Sequence, residues 1–286
     1  VIPSTFDYVA ATTVEEAIQA LAVAGDDGKV LAGGQTLVPV LRLRLATPTT
    51  LVDLNKINEL RGVRDDGDAI VVGAMTTHHD VLNDSLVREH AALLALATQT
   101  VGDPQIRHRG TLGGALVHAD PAGDLLAPVV ALDAEMVIAG PGGRRTVPAA
   151  EFFIDLFTTA VGADQVLVEV RIPKKTGWGA HYEKFQRVAQ AWSIVAVAAA
   201  VRTEGGSIAE ARVALTNMAA TPVRATGVEQ ALVGQSATAE TIRAAAEHAA
   251  EGTSPSSDGN ADADYREHLA RVLTNRALTT AAGLTG

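Results

Sequence analysis

Thr111-Leu112-Gly113-Gly114-Ala115, read with the earlier run Ala32-Gly33-Gly34-Gln35-Thr36, organises the rest of the chain. Each run holds a Gly-Gly pair beside an apolar segment. Glycine reaches positive φ cheaply and lets backbone approach a ligand closely. Successive N–H groups in such a turn converge into an anion-binding nest. Two nests from distant parts of one chain suit the two phosphates of a dinucleotide. Neither run has the G-x-G-x-x-G spacing of a Rossmann loop or the G-x-x-x-x-G-K-[ST] spacing of a P-loop. Taken singly, each is also an ordinary turn.

Working outward, Val30-Leu31-Ala32 reads as a strand that enters the first loop, and Thr36 to Leu45 as a short helix or turn beyond it. Upstream, Thr13-Val14-Glu15-Glu16 has the capping-box form, with a helix stripe of Ala17, Ile18, Leu21 and Ala22 behind it. Leu51 to Leu54 is the next strand, so residues 1 to about 57 read as a small parallel α/β unit. From Gly62 the pattern changes. Val63 to Val72 reads as a hairpin around Asp65-Asp66-Gly67. Thr76–Leu82 and Ser85–Ala97 read as helices, and Asp103-Pro104 as a break in the helix pattern. Asp124 to Leu132 reads as a helix, Met136 to Val147 as a second hairpin, and Gln165 to Ile172 as a strand. Pro173 to Gly177 is turn-rich and marks the expected boundary between a domain of residues 1–176 and one of residues 177–286. The second domain reads as three strands followed by three helices. The fold class is therefore α+β: a small α/β unit and a mixed α+β unit, then a three-stranded antiparallel sheet with a helical bundle.

Composition narrows the function. The 286 residues carry a net charge of -10, against a general nucleic-acid or anionic-membrane binder. No apolar run approaches the ~20 residues of a membrane helix. Val1-Ile2-Pro3-Ser4 has no basic segment followed by an apolar one, so no signal peptide is expected and the location expected is cytoplasmic. Cysteine is absent. Disulfides, thiolate zinc sites and a cysteine nucleophile are thereby excluded, and any iron–sulfur cluster must be held by another chain. The histidine pair His78-His79, and His108 and His118 with Asp120 and Asp124, lack any recognised metal spacing. No metal site or catalytic acid–base residue is expected. Arg107-His108-Arg109 is a basic patch that suits either a phosphate or a partner surface.

The chain resembles the FAD-binding medium subunits of the molybdenum hydroxylases, of the carbon monoxide dehydrogenase, quinoline oxidoreductase and xanthine dehydrogenase type. The resemblance covers nearly the whole chain, in family order. It rests on Leu31-Ala32-Gly33-Gly34-Gln35-Thr36-Leu37-Val38-Pro39, Leu51-Val52-Asp53-Leu54 and Val72-Gly73-Ala74-Met75-Thr76-Thr77. It rests also on Gln105-Ile106-Arg107-His108-Arg109-Gly110-Thr111-Leu112-Gly113-Gly114 and Asp120-Pro121-Ala122-Gly123-Asp124. It implies that the amides of Ala32, Gly33, Gly34, Gln35 and Thr36, and of Thr111, Gly113, Gly114 and Ala115, embrace the FAD pyrophosphate and ribityl chain. Thr36 and Thr111 would add hydroxyl donors. Ala115 departs from the Asn or Ser frequent in the family, so a side-chain contact is lost there; Gln35 stands where some members carry His.

For Asp124 the resemblance implies a bond to a flavin hydroxyl or ring group, whereas locally it reads as the N-cap of the helix beginning at Leu125. Lys184 would sit near the flavin ring and stabilise negative charge there; its plain reading is an exposed strand lysine. Trp192 falls where carbon monoxide dehydrogenase has a tyrosine near the ring, and reads equally as core packing. The activity implied is that of an oxidoreductase subunit. It would pass electrons from two-iron, two-sulfur clusters on a small subunit through FAD to an external acceptor. Oxidation of carbon monoxide or an N-heterocycle or aldehyde would occur at a molybdenum cofactor on a large subunit. The assembly implied is a dimer of heterotrimers. A self-contained FAD-dependent oxidoreductase and a non-enzymatic interaction protein are the competing readings.

Overall fold

The computed structural model describes residues 2–284. Its first unit alternates strand and helix: β1 (Asp7–Ala10), α1 (Val14–Ala24), β2 (Gly28–Leu31), α2 (Leu37–Arg42) and β3 (Thr50–Asp53). The strands form a parallel sheet in the order β1-β3-β2. The helix start predicted from Thr13 is realised: Thr13 Oγ1 accepts from the Glu16 amide at 3.1 Å, and Glu16 reaches back to the Thr12 amide at 2.7 Å.

The second unit contains β4 (Val63–Asp66), β5 (Ala69–Gly73), α3 (His78–Asn83), α4 (Ser85–His90), α5 (Ala92–Gln99), α6 (Pro104–Arg107), α7 (Leu112–His118) and α8 (Leu126–Ala131). It continues through β6 (Glu135–Gly140), β7 (Gly143–Pro148), α9 (Ala149–Phe152), β8 (Phe153–Asp155), β9 (Thr158–Thr159) and β10 (Val166–Pro173). The two expected hairpins flank β10, in the order β4-β5-β10-β6-β7. A strand paired on both sides and packed on both faces needs apolar side chains both ways. Accordingly Val166, Leu167, Val168, Val170 and Ile172 of β10 are all buried.

One local reading is corrected and another extended. The helix expected over Ser85–Ala97 is two helices, interrupted at Ala91, where φ is -139°. The break at Asp103-Pro104 is there, since α5 ends at Gln99, but the dipeptide also starts the next helix: Asp103 caps the Ile106 amide at 2.8 Å, with Pro104 in the first turn, where its missing N–H costs nothing.

The third unit is β11 (Gly179–Phe185), β12 (Val195–Glu204), β13 (Ser207–Thr216), β14 (Val223–Arg224), α10 (Thr226–Leu232), α11 (Ala239–Ala246) and α12 (Ala263–Ala281). Its antiparallel sheet has four strands, not the three expected; the two-residue β14 is too short to carry a pattern of its own and merges in sequence with the start of α10. The apolar run Ile194–Val201 is indeed a strand buried on both faces. Val195, Val197, Ala199 and Val201 pack against the helices of this unit. Ala196, Ala198 and Ala200 face the core of the second unit, where small side chains let α5 and α8 lie close. The period of two thus puts all the valines on one side and only alanines on the other. No described helix is long and apolar enough to cross a membrane.

Candidate functional site

The two glycine loops meet. A Cβ built on Gly33 would lie 2.2 Å from the Arg109 carbonyl oxygen and 2.7 Å from Gly110 Cα, so only glycine permits this backbone contact. One on Gly114 would fall 3.3 Å from Ala32 Cβ. The second loop is itself pinned to the strand end after β5. A Cβ on Gly113 would lie 2.6 Å from Ala74 Cβ, and the Gly113 amide donates to the Ala74 carbonyl at 2.8 Å.

The loops differ in what they leave unpaired. In the second, the amides of Leu112, Gly113, Gly114 and Ala115 donate to Thr76 O, Ala74 O, Thr111 Oγ1 and Thr111 O respectively. These donors cap α7 and tie it to the sheet. In the second loop the fold itself uses the amides of Gly113, Gly114 and Ala115, and the buried Thr111 hydroxyl serves as the helix cap. In the first loop, the amides of Gly33, Gly34, Gln35 and Thr36 have no acceptor among the described residues. This half of the site keeps its donors. It opens on a concavity of about 290 Å³ lined by Gly33, Gly34, Gln35, Val38, Pro39, Arg42 and Arg109. Ala32 turns its carbonyl to Asn55 Nδ2, 3.0 Å away, which fixes the loop's entry.

His78 holds the second loop from behind. Its amide donates to the Gly110 carbonyl at 2.9 Å, and its ring lies against Gly110. Burial, with Arg107 nearby as a lesser cause, lowers its pKa from 6.5 to about 4. The folded state thus keeps His78 neutral where the unfolded chain takes up a proton. The stabilisation is whole above pH 6.5 and drains away as pH falls toward 4, by up to about 3 kcal/mol. Urea unfolding measured across that window is expected to show the decline, and His78→Leu to flatten it. A decline of the same size in His78→Leu would refute this assignment.

Asp124 and Lys184 lie where the third unit packs on the second. Asp124 does not cap α8, which begins at Leu126 with no side-chain cap. It is buried, and it accepts from Lys184 Nζ at 2.8 Å, Ser193 Oγ at 2.9 Å and Tyr182 Oη at 3.0 Å. Lys184 is no exposed strand lysine: its side chain is 5% exposed, and Nζ also donates to the Thr100 carbonyl at 3.3 Å. Burial raises the Asp124 pKa; the Lys184 charge and the three hydrogen bonds oppose it. Trp192 is not core, since 55% of its surface is open.

Beside this network a second concavity, of about 480 Å³, is lined by residues of three segments, among them Thr100, Gly102, Lys184, Gln186 and Gln190. Gln186 Oε1 is buried there with no partner among the described residues. Sequence patterning does not single out Gln186 or Ser193; their proximity to Lys184 and Trp192 is the one signal available. Among the described residues, no cluster of three or more His, Asp or Glu is placed to hold a metal ion. The arrangement offers unpaired amides for an anion at one end and a buried cation with an orphaned amide oxygen at the other. FAD carries both kinds of group, an anionic diphosphate and a ring with polar edges, so the residues present fit it.

Residues 4–175 match the FAD binding domain in molybdopterin dehydrogenase, and residues 180–281 the CO dehydrogenase flavoprotein C-terminal domain. The chain is similar to the carbon monoxide dehydrogenase medium chain of Hydrogenophaga pseudoflava, 41% identical over 98% of each chain. A solved structure of carbon monoxide dehydrogenase from that organism, lacking the Mo-pyranopterin moiety of its cofactor, superposes over the whole of both chains with a TM-score of 0.96. Quinoline 2-oxidoreductase from Pseudomonas putida 86 superposes over 99% of each chain with a TM-score of 0.94, at 34% identity.

Proposed function

The chain belongs to the FAD-binding medium subunits of the molybdenum hydroxylases, an oxidoreductase family, and from that premise we propose that it is the electron-transfer subunit of a multi-subunit complex. The observation that carries the reading is the first glycine loop, with four unpaired amides held against the backbone of the second. When bound, FAD supplies a junction between one-electron and two-electron carriers. The protein's part is to hold and orient it. Gly33, Gly34, Gln35 and Thr36 bind the diphosphate. Thr111, Gly113, Gly114 and Ala115 shape and stiffen the opposite wall, through the helix cap and the close packing on Ala74. Lys184 sets a positive charge at the ring end, Asp124 fixes where that charge sits, and Trp192 offers an aromatic face. Residues 1–176 act as the FAD-binding domain, and residues 177–286 cover the ring.

Electrons arrive from two-iron, two-sulfur clusters on a small subunit, since this chain has no cysteine to ligate one. They originate at a molybdenum cofactor on a large subunit and leave to an external acceptor. The assembly is a dimer of heterotrimers in the cytoplasm. The substrate is selected on the large subunit; carbon monoxide is the first to assay and an N-heterocycle the second.

Gentle purification with companion chains retained tests the proposal. Flavin bands overlaid with iron–sulfur absorbance, and molybdenum by elemental analysis, are expected. A flavin spectrum from this chain with no companion would favour a self-contained oxidoreductase. A colourless sample that does not take up added FAD would sink the reading.

A further inference from the structure

We propose that Arg42 and Arg109 form a two-guanidinium clamp on the diphosphate of the dinucleotide, one arm from each side of the loop contact. The inference rests on the FAD reading above and assigns residues that this reading leaves out. Both arginines line the concavity onto which Gly33, Gly34 and Gln35 open. Arg42 ends α2, the helix that leaves the first loop. Arg109 is the residue whose carbonyl abuts Gly33. The clamp is thus built by the same backbone contact that joins the loops, although its arms are 67 residues apart in sequence.

Their lack of partners is the second observation. The chain has 33 acidic residues against 23 basic ones, so a spare carboxylate is rarely far. Most arginines are engaged: Arg171 with Asp66 and Asp68, Arg212 and Arg224 with Asp133, and Arg107 with the Val101 carbonyl. Arg42 and Arg109 make no ion pair or side-chain hydrogen bond among the described residues. No carboxylate lines their concavity. Two unpaired cations beside four unpaired amides, in an otherwise negative molecule, make a local positive focus for an anion. Guanidinium offers the paired, planar donors that match phosphate oxygens, and the amides supply the rest of the coordination. An exposed arginine alone contributes little. Here the second cation and the fixed amides supply the geometry that a lone surface charge lacks.

The test uses the full chain, stripped of flavin and titrated with FAD, with binding followed by flavin fluorescence at several salt concentrations. Arg42→Gln and Arg109→Gln are each expected to weaken FAD binding about tenfold, and the double variant about 100-fold. The double variant should also flatten the dependence of Kd on salt, because fewer charges are neutralised on binding. Arg109→Lys should recover part of the affinity and most of the salt dependence, keeping the charge without the fork. Loss of affinity with the salt dependence unchanged would mean a merely structural effect and would overturn the proposal. So would a double variant that binds FAD as the parent does. If the parent chain itself takes up no FAD, the flavoprotein reading fails first and the clamp falls with it.

Discussion

Replacing Gly33 by alanine is expected to cost the protein its FAD and about 1–3 kcal/mol of stability together. The added methyl would sit 2.2 Å from Arg109 O and 2.9 Å from Arg109 C, and both are main-chain atoms. No rotamer can relieve that overlap; the two loops must part. Parting them displaces the unpaired amides of the first loop from the wall formed by the second. Loss of FAD affinity of about 100-fold or more follows if three or four weak contacts are misaligned at once. Gly142→Ala is the control: nothing lies within 4 Å of the position its methyl would take, and its φ is not positive, so both properties should hold. Urea unfolding and FAD titration of the two variants decide it. A Gly33→Ala protein that binds FAD at parental strength would mean that the loop contact is dispensable.

The second large effect is expected at Asp124. Asp124→Ala strands the Lys184 ammonium, with the Tyr182 and Ser193 hydroxyls, in a site where both charged side chains are almost wholly covered. Removing one partner of a buried ion pair costs about 3–5 kcal/mol. Lys184→Met should behave differently, because the carboxyl left behind can neutralise itself. Burial already raises the Asp124 pKa, and loss of the lysine removes a principal opposing influence. An acid whose folded pKa is raised binds its proton more tightly in the fold, so the destabilisation lessens as pH falls. Lys184→Met should therefore recover toward the parent in acid, while Asp124→Ala should not. The double variant Asp124→Leu with Lys184→Met closes the cycle, and a large coupling energy is expected. If Asp124→Ala costs under about 1 kcal/mol, the pair is not what holds the third unit to the second.

These residues also show what sequence can and cannot reveal. Thr13 and Glu16 are legible because a capping box is complete within four residues. The strand Val195–Val201 is legible because its run of valine and alanine exceeds what one buried face requires. Asp103-Pro104 is legible as a break, but that it also caps the next helix is decided only by the turn that follows. Asp124 looks like a cap because local patterning sees neighbours, whereas its partners lie 58 to 69 residues away. The glycine loops are found by their spelling. Their unequal use is not, since the acceptors that consume the second loop's amides come in part from Ala74 and Thr76 in another segment.

That inequality bears on the entropy of uptake. A wall already knitted to the sheet surrenders no conformational freedom when a ligand arrives. The first loop adds little to the cost, since its Ala32 carbonyl is tied to Asn55 and its Gly33 abuts the backbone of the second loop. Each residue held in place before uptake spares about 1–2 kcal/mol of ordering, so what remains to be ordered is chiefly the dinucleotide itself.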